Sequence, residues 1–161
     1  MLNGQMMYQE FAFHKLMRAA TYVLFNEAMC VNQGTLPIFG EQFNRLRAAG
    51  HGVSLESYRE VVLITLDLLI NQTCQCVVLW LGEDMFCQMN LLTCLAYLEE
   101  SGFQGEVYYH SVHEGTYDVK ETALRLGGYQ QLFHEVIMSH KRVSEIYLPV
   151  LHQGVGGIWS Y

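Results

Sequence analysis

Three segments of this chain, far apart in sequence, carry acidic, amide or imidazole side chains at the end of an apolar run. Asn26 and Glu27 follow the first run. Glu83 and Asp84 follow the second run, and His110 lies near the end of the third. Carboxylates can bind a divalent cation or accept a proton from a small polar substrate. Amide and imidazole groups beside them would orient such a ligand.

The elements that must position these side chains are short strands that alternate with helices. Three runs rich in β-branched and aromatic residues predict strands, at residues 21–25, 76–81 and 106–112. Helical spacing of apolar residues recurs around them, at residues 7–19, 40–49, 55–71 and 85–101. This alternation predicts an α/β fold with a mainly parallel, Rossmann-like sheet flanked by helices.

In a parallel sheet, the loops at the carboxyl ends of the strands form the crevice in which ligands bind. We therefore expect the three polar segments to converge along one edge. Glu27 is the candidate catalytic base or metal ligand, because an acid at the end of a buried strand costs stability unless it is paired or solvated. If Leu2 is the remnant of a further strand, Asn3 and Gln5 join the same edge. The candidate ligand-binding residues are Asn26, Glu83, Asp84, Gln88 and His110.

These features also have structural interpretations. Asp84 precedes a predicted helix and is a candidate N-cap, a role worth about 1 kcal/mol. Glu27 is equally suited to a salt bridge or to a solvated position at the rim of the sheet. Gly82 is equally suited to a turn between a strand and a helix. The sequence has neither a Gly-x-Gly-x-x-Gly nor a Gly-Lys-Ser/Thr motif, which disfavours dinucleotide and P-loop binding. The sequence therefore names no cofactor.

Five cysteines, an odd number in a chain long enough to form a core, indicate free thiols in a reducing compartment. Cys74 and Cys76 form a Cys-x-Cys pair, which lacks the spacing of zinc-ribbon or thioredoxin-like sites, so we assign no metal ligands among the cysteines. Cys87 lies near a predicted helix N-terminus, where a thiol can become a nucleophile. The alternative is a buried, inert thiol.

Composition narrows the possible partners. The formal charge is -7 and no basic run occurs, which argues against nucleic acid and anionic membranes. No apolar stretch approaches the roughly 20 residues of a membrane span, and no signal peptide is evident, so we expect a cytoplasmic protein. Hydrophobic residues make up 51% of the chain and charged residues only 16%. This apolar excess predicts self-association.

The chain length predicts one α/β domain over residues 1–161, either complete or a piece of a longer protein. The C-terminal third, residues 119–161, is expected to be a helical extension. Helical patterns occur there at residues 119–126, 129–140 and 143–151.

Two segments, residues 25–30 and 78–92, resemble the bacterial domain-of-unknown-function family 1835. Leu2-Asn3-Gly4, Asn26-Glu27 and Trp80-Leu81-Gly82 occupy the places of three family motifs, and residues 39–47 resemble a family helix that carries a Phe and an Arg. The resemblance covers roughly residues 1–125. It implies an α/β domain and no established activity.

Three hypotheses for function follow from these residues. The first is a domain that binds a small polar ligand at the carboxyl edge of the sheet. The second is a metal-assisted hydrolase or transferase that uses carboxylates at the same edge, which requires at least two acids near one ion. The third is a non-catalytic oligomerisation or scaffold domain, in which the acids are caps and rim charges. The sequence does not decide whether the chain is an enzyme.

Overall fold

A single five-stranded sheet forms the centre of the computed structural model, which describes residues 1–71, 74–112 and 119–141. Its strands are β1 (Leu2–Asn3), β2 (Leu24–Phe25), β3 (Cys76–Trp80), β4 (Glu106–Val112) and β5 (Val119–Leu124). Their order across the sheet is β2-β1-β3-β4-β5. The first four strands are parallel, and β5 is antiparallel to β4. The fold is therefore α/β with a mixed, mostly parallel sheet.

Helices connect and flank these strands. They are α1 (Gly4–His14), α2 (Glu41–Gly50), α3 (Leu55–Tyr58), α4 (Asp67–Ile70), α5 (Met85–Glu100) and α6 (Tyr129–Phe133). A π-helical turn and a 3-10 turn join α3 to α4, and α6 continues as a π-helical turn over His134–Met138. Among the described residues, no helix combines the length and apolar character needed to cross a membrane.

The core lies mainly on the α5 side of the sheet. Val77 and Leu79 of β3 are buried in the same cluster as most of α5. Successive residues of a strand point to opposite faces, so Val78 and Trp80 face the other side. There Phe11 of α1 packs edge-on against Trp80, with ring centroids 5.0 Å apart. The first crossover helix thus covers the opposite face near β1 and β3.

Several predicted elements are confirmed. The strand predicted at residues 106–112 matches β4, and the helix predicted at 85–101 matches α5 to within one residue. Leu2 does belong to a further strand, which ends at Asn3. The N-cap predicted at Asp84 also forms, since its carboxylate accepts a hydrogen bond from the backbone amide of Cys87. Ser54 caps α3 in the same way, by accepting from the backbone amide of Ser57.

The helix predicted at residues 119–126 is wrong, because this segment forms β5. Its Lys120 and Glu121 lie opposite Ser111 and His110 of β4. Pairing with the edge of the sheet overrides the helical propensity of so short a segment. A helical C-terminal third is thus not confirmed: residues 129–138 are helical, and the helix predicted at 143–151 lies outside the described residues.

The first crossover also differs from the prediction. β2 spans two residues instead of five, and α1 covers Gly4–His14 instead of residues 7–19. Gly4 has φ +81°, a conformation that glycine adopts easily, and this lets α1 begin directly after β1. The helix ends where Lys15 takes a left-handed conformation, with φ 51°. The carboxyl end of β1 therefore lies beside the start of a helix.

Candidate functional site

The topological switch point of the sheet lies between β1 and β3. The chain leaves β1 toward β2 on one side, and the strands after β3 extend the sheet on the other. Loops diverge at such a point, which leaves a crevice outside the carboxyl ends of the strands. Asn3 ends β1 there, and Gly82 and Asp84 follow β3. We call the space bounded by Asn3, Gly82, Asp84 and Cys87 the switch-point crevice.

Side-chain contacts link the two sides of this crevice. The amide nitrogen of Asn3 lies 3.1 Å from Cys87 Sγ, and the backbone N–H of Cys87 donates to Asp84 Oδ1 over 3.0 Å. A Cβ atom on Gly82 would stand 3.0 Å from the other Asp84 oxygen and 3.3 Å from Cys87 Sγ. Glycine therefore keeps the space between the carboxylate and the thiol open.

Asn90, a buried residue of α5, fixes the floor of the crevice. Its amide nitrogen donates to Asn3 Oδ1 over 2.9 Å and to the backbone carbonyl of Glu27 over 2.8 Å. Its carbonyl oxygen accepts from the backbone N–H of Met29 over 2.9 Å. One side chain thus joins β1, the loop after β2 and α5.

Glu27 lies at this meeting point, but its side chain is only 1% exposed and points into a buried ion pair. Arg47 Nε donates to Oε1 over 2.7 Å and Arg47 Nη2 to Oε2 over 3.0 Å. The hydroxyl of Tyr58 and the backbone N–H of Ala28 also donate to the carboxylate. The Nε2 atom of His51 lies 3.0 Å from Oε2. Five groups therefore surround the two carboxylate oxygens.

The ion pair determines the charge of Glu27. Burial alone would raise the pKa of this carboxyl group, but hydrogen bonds and the charge of Arg47 outweigh burial and hold the pKa below its usual value. Burial and the neighbouring carboxylate raise the pKa of Tyr58 far above its ordinary range. Glu27 is consequently an anion, and Tyr58 is a neutral donor to it.

Arg47 has no donor left for a ligand. Besides Glu27, its guanidinium donates to the carbonyls of Ala28, Val31 and Gln33. A guanidinium carries five N–H groups, and these contacts use all of them. Arg47 therefore holds residues 27–33 in place at the end of β2.

The thiol of Cys87 is protonated at neutral pH. Burial, reinforced by the nearby carboxylate of Asp84, raises its pKa to about 12. A thiolate nucleophile at this position is therefore not favoured. The structure instead presents Cys87 as a neutral, polarisable wall of the crevice.

Gln88 and His110 lie on opposite faces of the sheet. The amide nitrogen of Gln88 donates to the Gly82 carbonyl over 2.7 Å and to the Tyr109 hydroxyl over 3.0 Å, which places Gln88 beneath the crevice. Tyr109 and His110 are consecutive residues of β4, so their side chains point to opposite faces. His110 packs against Trp80 and lies 2.6 Å from Glu121 of β5.

The predicted site residues are thus only partly brought together. Asp84 lines the crevice, and Gln88 lies beneath it. Burial raises the pKa of the Tyr109 hydroxyl to about 12, and the nearby charge of Glu83 acts in the same direction. Half-buried Asn26 precedes Glu27, whose backbone joins the site while its side chain points to Arg47. His110 faces away from the crevice.

The site residues predicted from the sequence do not include Arg47, His51 or Tyr58. A signal for Arg47 existed: it lies four residues after buried Phe43, on the apolar side of α2, where an unpaired cation would be costly. Within the described ranges, no three His, Cys, Asp or Glu side chains are grouped so that they could hold a metal ion.

Comparison with known proteins adds no relationship. No family model matches the chain. No curated protein and no solved structure gives a significant match either. The resemblance to family 1835 stays a prediction.

Proposed function

We propose that this chain is a Rossmann-like domain that binds a small polar ligand in the switch-point crevice. The observation that carries the proposal is the pair of contacts from Asn3 to Cys87 and Asn90, at the point where parallel sheets bind ligands. The crevice offers a carboxylate, a neutral thiol and an amide, which hydrogen bonds hold in place. Such preorganised polar groups give a small ligand its orientation.

In this proposal Glu27 positions the site instead of reacting with the ligand. Its oxygens already accept hydrogen bonds from Arg47, Tyr58 and Ala28, and a proton or metal would have to displace one of these donors. The acid that remains accessible is Asp84, which is exposed at the mouth of the crevice. The geometry therefore favours ligand binding over the metal-assisted alternative, which needs two carboxylates free to approach one ion.

A thermal-shift experiment tests this proposal. The probes are glutamate, adenosine, ribose 5-phosphate and malate, which represent four classes of small polar molecule. A ligand that binds the native state raises the midpoint of unfolding in a saturable way. We expect at least one probe to do so, and Gly82→Ala to abolish the shift because its methyl group fills the space beside Asp84.

The matched control is Gly127→Ala, where an added Cβ meets no atom within 4 Å. This variant should keep the full shift. If none of the four probes changes the midpoint, or if Gly82→Ala responds as the wild type does, the crevice is not the binding site for these classes of ligand.

We also propose that the chain self-associates through the outer face of α1. Met6 and Phe13, seven residues apart on this helix, are 80% and 81% exposed. A spacing of seven residues places them on one side of the helix. Large apolar side chains at this exposure are typical of a surface that another molecule covers.

A further inference from the structure

Gln88 carries a buried hydrogen-bond acceptor that no described group uses. The residue is only 3% exposed. Its amide nitrogen donates to the Gly82 carbonyl over 2.7 Å, and because a carbonyl can only accept, this contact fixes which end of the amide is the nitrogen. The other end, Oε1, has no hydrogen-bond partner within the described part of the chain. An unpaired acceptor at this burial is costly, so it indicates a donor that the described residues do not supply.

Gly82 connects this acceptor to the switch-point crevice. The Gly82 carbonyl holds the amide nitrogen of Gln88, and Oε1 is bonded to the same carbon as that nitrogen. On the other side of Gly82, an added Cβ would stand 3.0 Å from Asp84 Oδ2. The unpaired amide oxygen and the carboxylate therefore adjoin the same glycine at the boundary of the crevice.

The Asp84 side chain brings a negative charge to this boundary. Burial alone would raise the pKa of its carboxyl group, but hydrogen bonds from Cys87 and from the backbone of Phe86 outweigh burial and hold the pKa below its ordinary value. Asp84 is therefore an anion at neutral pH. The formal charge of -7 on the whole chain acts in the same direction and attracts cations.

The donors at the start of α5 are already engaged by this carboxylate. Backbone amides in the first turn of a helix lack partners within the helix and can bind an anion. Here the amides of Phe86 and Cys87 donate to Asp84. A phosphate or carboxylate ligand would meet the Asp84 anion in front of these amides, which disfavours an anionic ligand.

Asn3 adds a third acceptor to the crevice. Its Oδ1 accepts from Asn90 over 2.9 Å, which uses one of the two lone pairs of a carbonyl oxygen. Its amide nitrogen is directed to Cys87 Sγ at 3.1 Å, and the Cys87 side chain in turn hydrogen bonds to Asp84. The hydrogen-bonding capacity that remains in the crevice is consequently dominated by acceptors, one of them charged.

We propose that the switch-point crevice binds the ammonium group of a small primary amine. This assignment rests on the proposed function and specifies the class of ligand. An ammonium group has three N–H donors, which match the Asp84 carboxylate, Gln88 Oε1 and Asn3 Oδ1. Its charge pairs with Asp84, and hydrogen bonds between charged groups are the strong ones. A hydroxyl group supplies one donor and no charge, and a quaternary ammonium group supplies charge and no donor.

Isothermal titration of the whole chain with ethanolamine and two matched probes tests the proposal. Ethylene glycol has a hydroxyl group in place of the ammonium group. Choline keeps the positive charge but has three methyl groups in place of the N–H donors. We expect saturable binding of ethanolamine, and binding of the other two that is weaker by about tenfold or more, because each lacks either the charge or the donors.

Two variants and a control assign the contacts. Asp84→Asn keeps the helix cap and should weaken the binding of ethanolamine about tenfold. Glu41→Gln removes one charge from an exposed acid in the first turn of α2 and should leave binding unchanged. Gln88→Met removes the buried acceptor and should reduce the preference for ethanolamine over choline, since choline makes no hydrogen bond to Oε1.

The outcomes separate this inference from the proposed function. The ammonium assignment is overturned if ethylene glycol or choline binds as tightly as ethanolamine, or if Asp84→Asn binds ethanolamine as the wild type does. If malate or ribose 5-phosphate binds in a manner that Gly82→Ala abolishes and ethanolamine does not bind, the crevice is a ligand site and only the ammonium class is wrong. If no probe of any class binds, the proposed function fails and the ammonium assignment fails with it.

Discussion

Arg47 is the residue whose removal should do most damage at the carboxyl edge. It is fully buried and is the cation that faces buried Glu27. We expect Arg47→Met to lower the free energy of unfolding by about 3–5 kcal/mol, because it leaves an uncompensated buried carboxylate. Urea denaturation followed by circular dichroism measures this change.

Two further variants test the assignment. Arg45→Met removes the exposed partner of Glu41 one turn away and should cost no more than about 1 kcal/mol. The double variant Glu27→Gln with Arg47→Met should be more stable than Arg47→Met alone, since it removes the orphaned charge. Equal effects of Arg47→Met and Arg45→Met would contradict the role of the buried pair.

The same ion pair predicts how stability depends on pH. The folded pKa of Glu27 lies below the ordinary value of 4.5, so the unfolded chain binds this proton first as pH falls. The contribution of the pair is therefore complete above pH 4.5 and is lost as pH falls through the lowered folded pKa. Unfolding free energies measured between neutral and acid pH should show this loss.

Glu27→Gln should remove that part of the acid dependence. Asp84 also has a lowered pKa and contributes in the same direction, so the comparison belongs in an Asp84→Asn background. If the loss of stability in acid is as steep without the Glu27 carboxyl group as with it, other groups cause the acid dependence.

At the residue scale, the sequence indicates that polar residues lie at the carboxyl edge of the sheet. It does not indicate which partner each of these side chains contacts. Glu27 stood out because an acid after a buried strand needs a partner. The identity of that partner depends on how α2 packs against the end of β2, twenty residues later in the chain. The spacing of Arg47 on α2 indicates that it needs a buried partner, but it does not identify Glu27 as that partner.

At the element scale, α5 depends on its first turn. The Asp84 carboxylate accepts from the backbone N–H of Cys87, one of the amides that lack a partner within the helix. Asp84→Ala should lower the free energy of unfolding by about 1 kcal/mol, whereas Asp84→Asn should have little effect because asparagine also caps well. Thermal and urea unfolding of the two variants measure the difference.

The outcome separates the two roles of Asp84. A loss of stability confined to the alanine variant supports the cap. If Asp84→Asn destabilises the protein as much as alanine does, the charge matters more than the hydrogen bond. In either case, comparing ligand binding by Asp84→Asn and by the wild type shows what the carboxylate contributes to binding, because asparagine keeps the helix cap.

The elements that were predicted correctly are those whose own residues determine their secondary structure. The helix α5 has sixteen residues with a cap, and β4 has seven residues that follow a turn at Ser101 and Gly102. The segment that forms β5 has six residues, and its conformation depends on pairing with β4. Strands β1 and β2 have only two residues each, too few for any periodicity to extend through them.

At the scale of the whole molecule, part of the apolar excess lies on the exposed face of α1, at Met6 and Phe13. We expect the 18.5 kDa chain to sediment as a dimer or larger species at micromolar concentration. The double variant Met6→Gln with Phe13→Ser should shift it toward the monomer, because it removes the exposed apolar pair on α1. Sedimentation velocity over a range of concentrations measures the shift.

Val61→Ser provides the control for this experiment. Val61 is also half exposed, but it lies in the turn between α3 and α4, away from the outer face of α1. The Val61→Ser variant should therefore have the same sedimentation coefficient as the wild-type chain. A wild-type chain that sediments as a monomer throughout would exclude association through α1.

The central place of β1 also has a consequence for synthesis. Leu2 leaves the ribosome before either of its two strand partners, which lie 22 and 78 positions later, at Leu24 and Trp80. At 5–20 residues per second, about 4–16 s separate the translation of Leu2 from that of Trp80. The middle strand is thus made before both of its neighbours and is enclosed only after the later one has been made, so a nascent chain must keep Leu2 and Asn3 from pairing elsewhere during that interval.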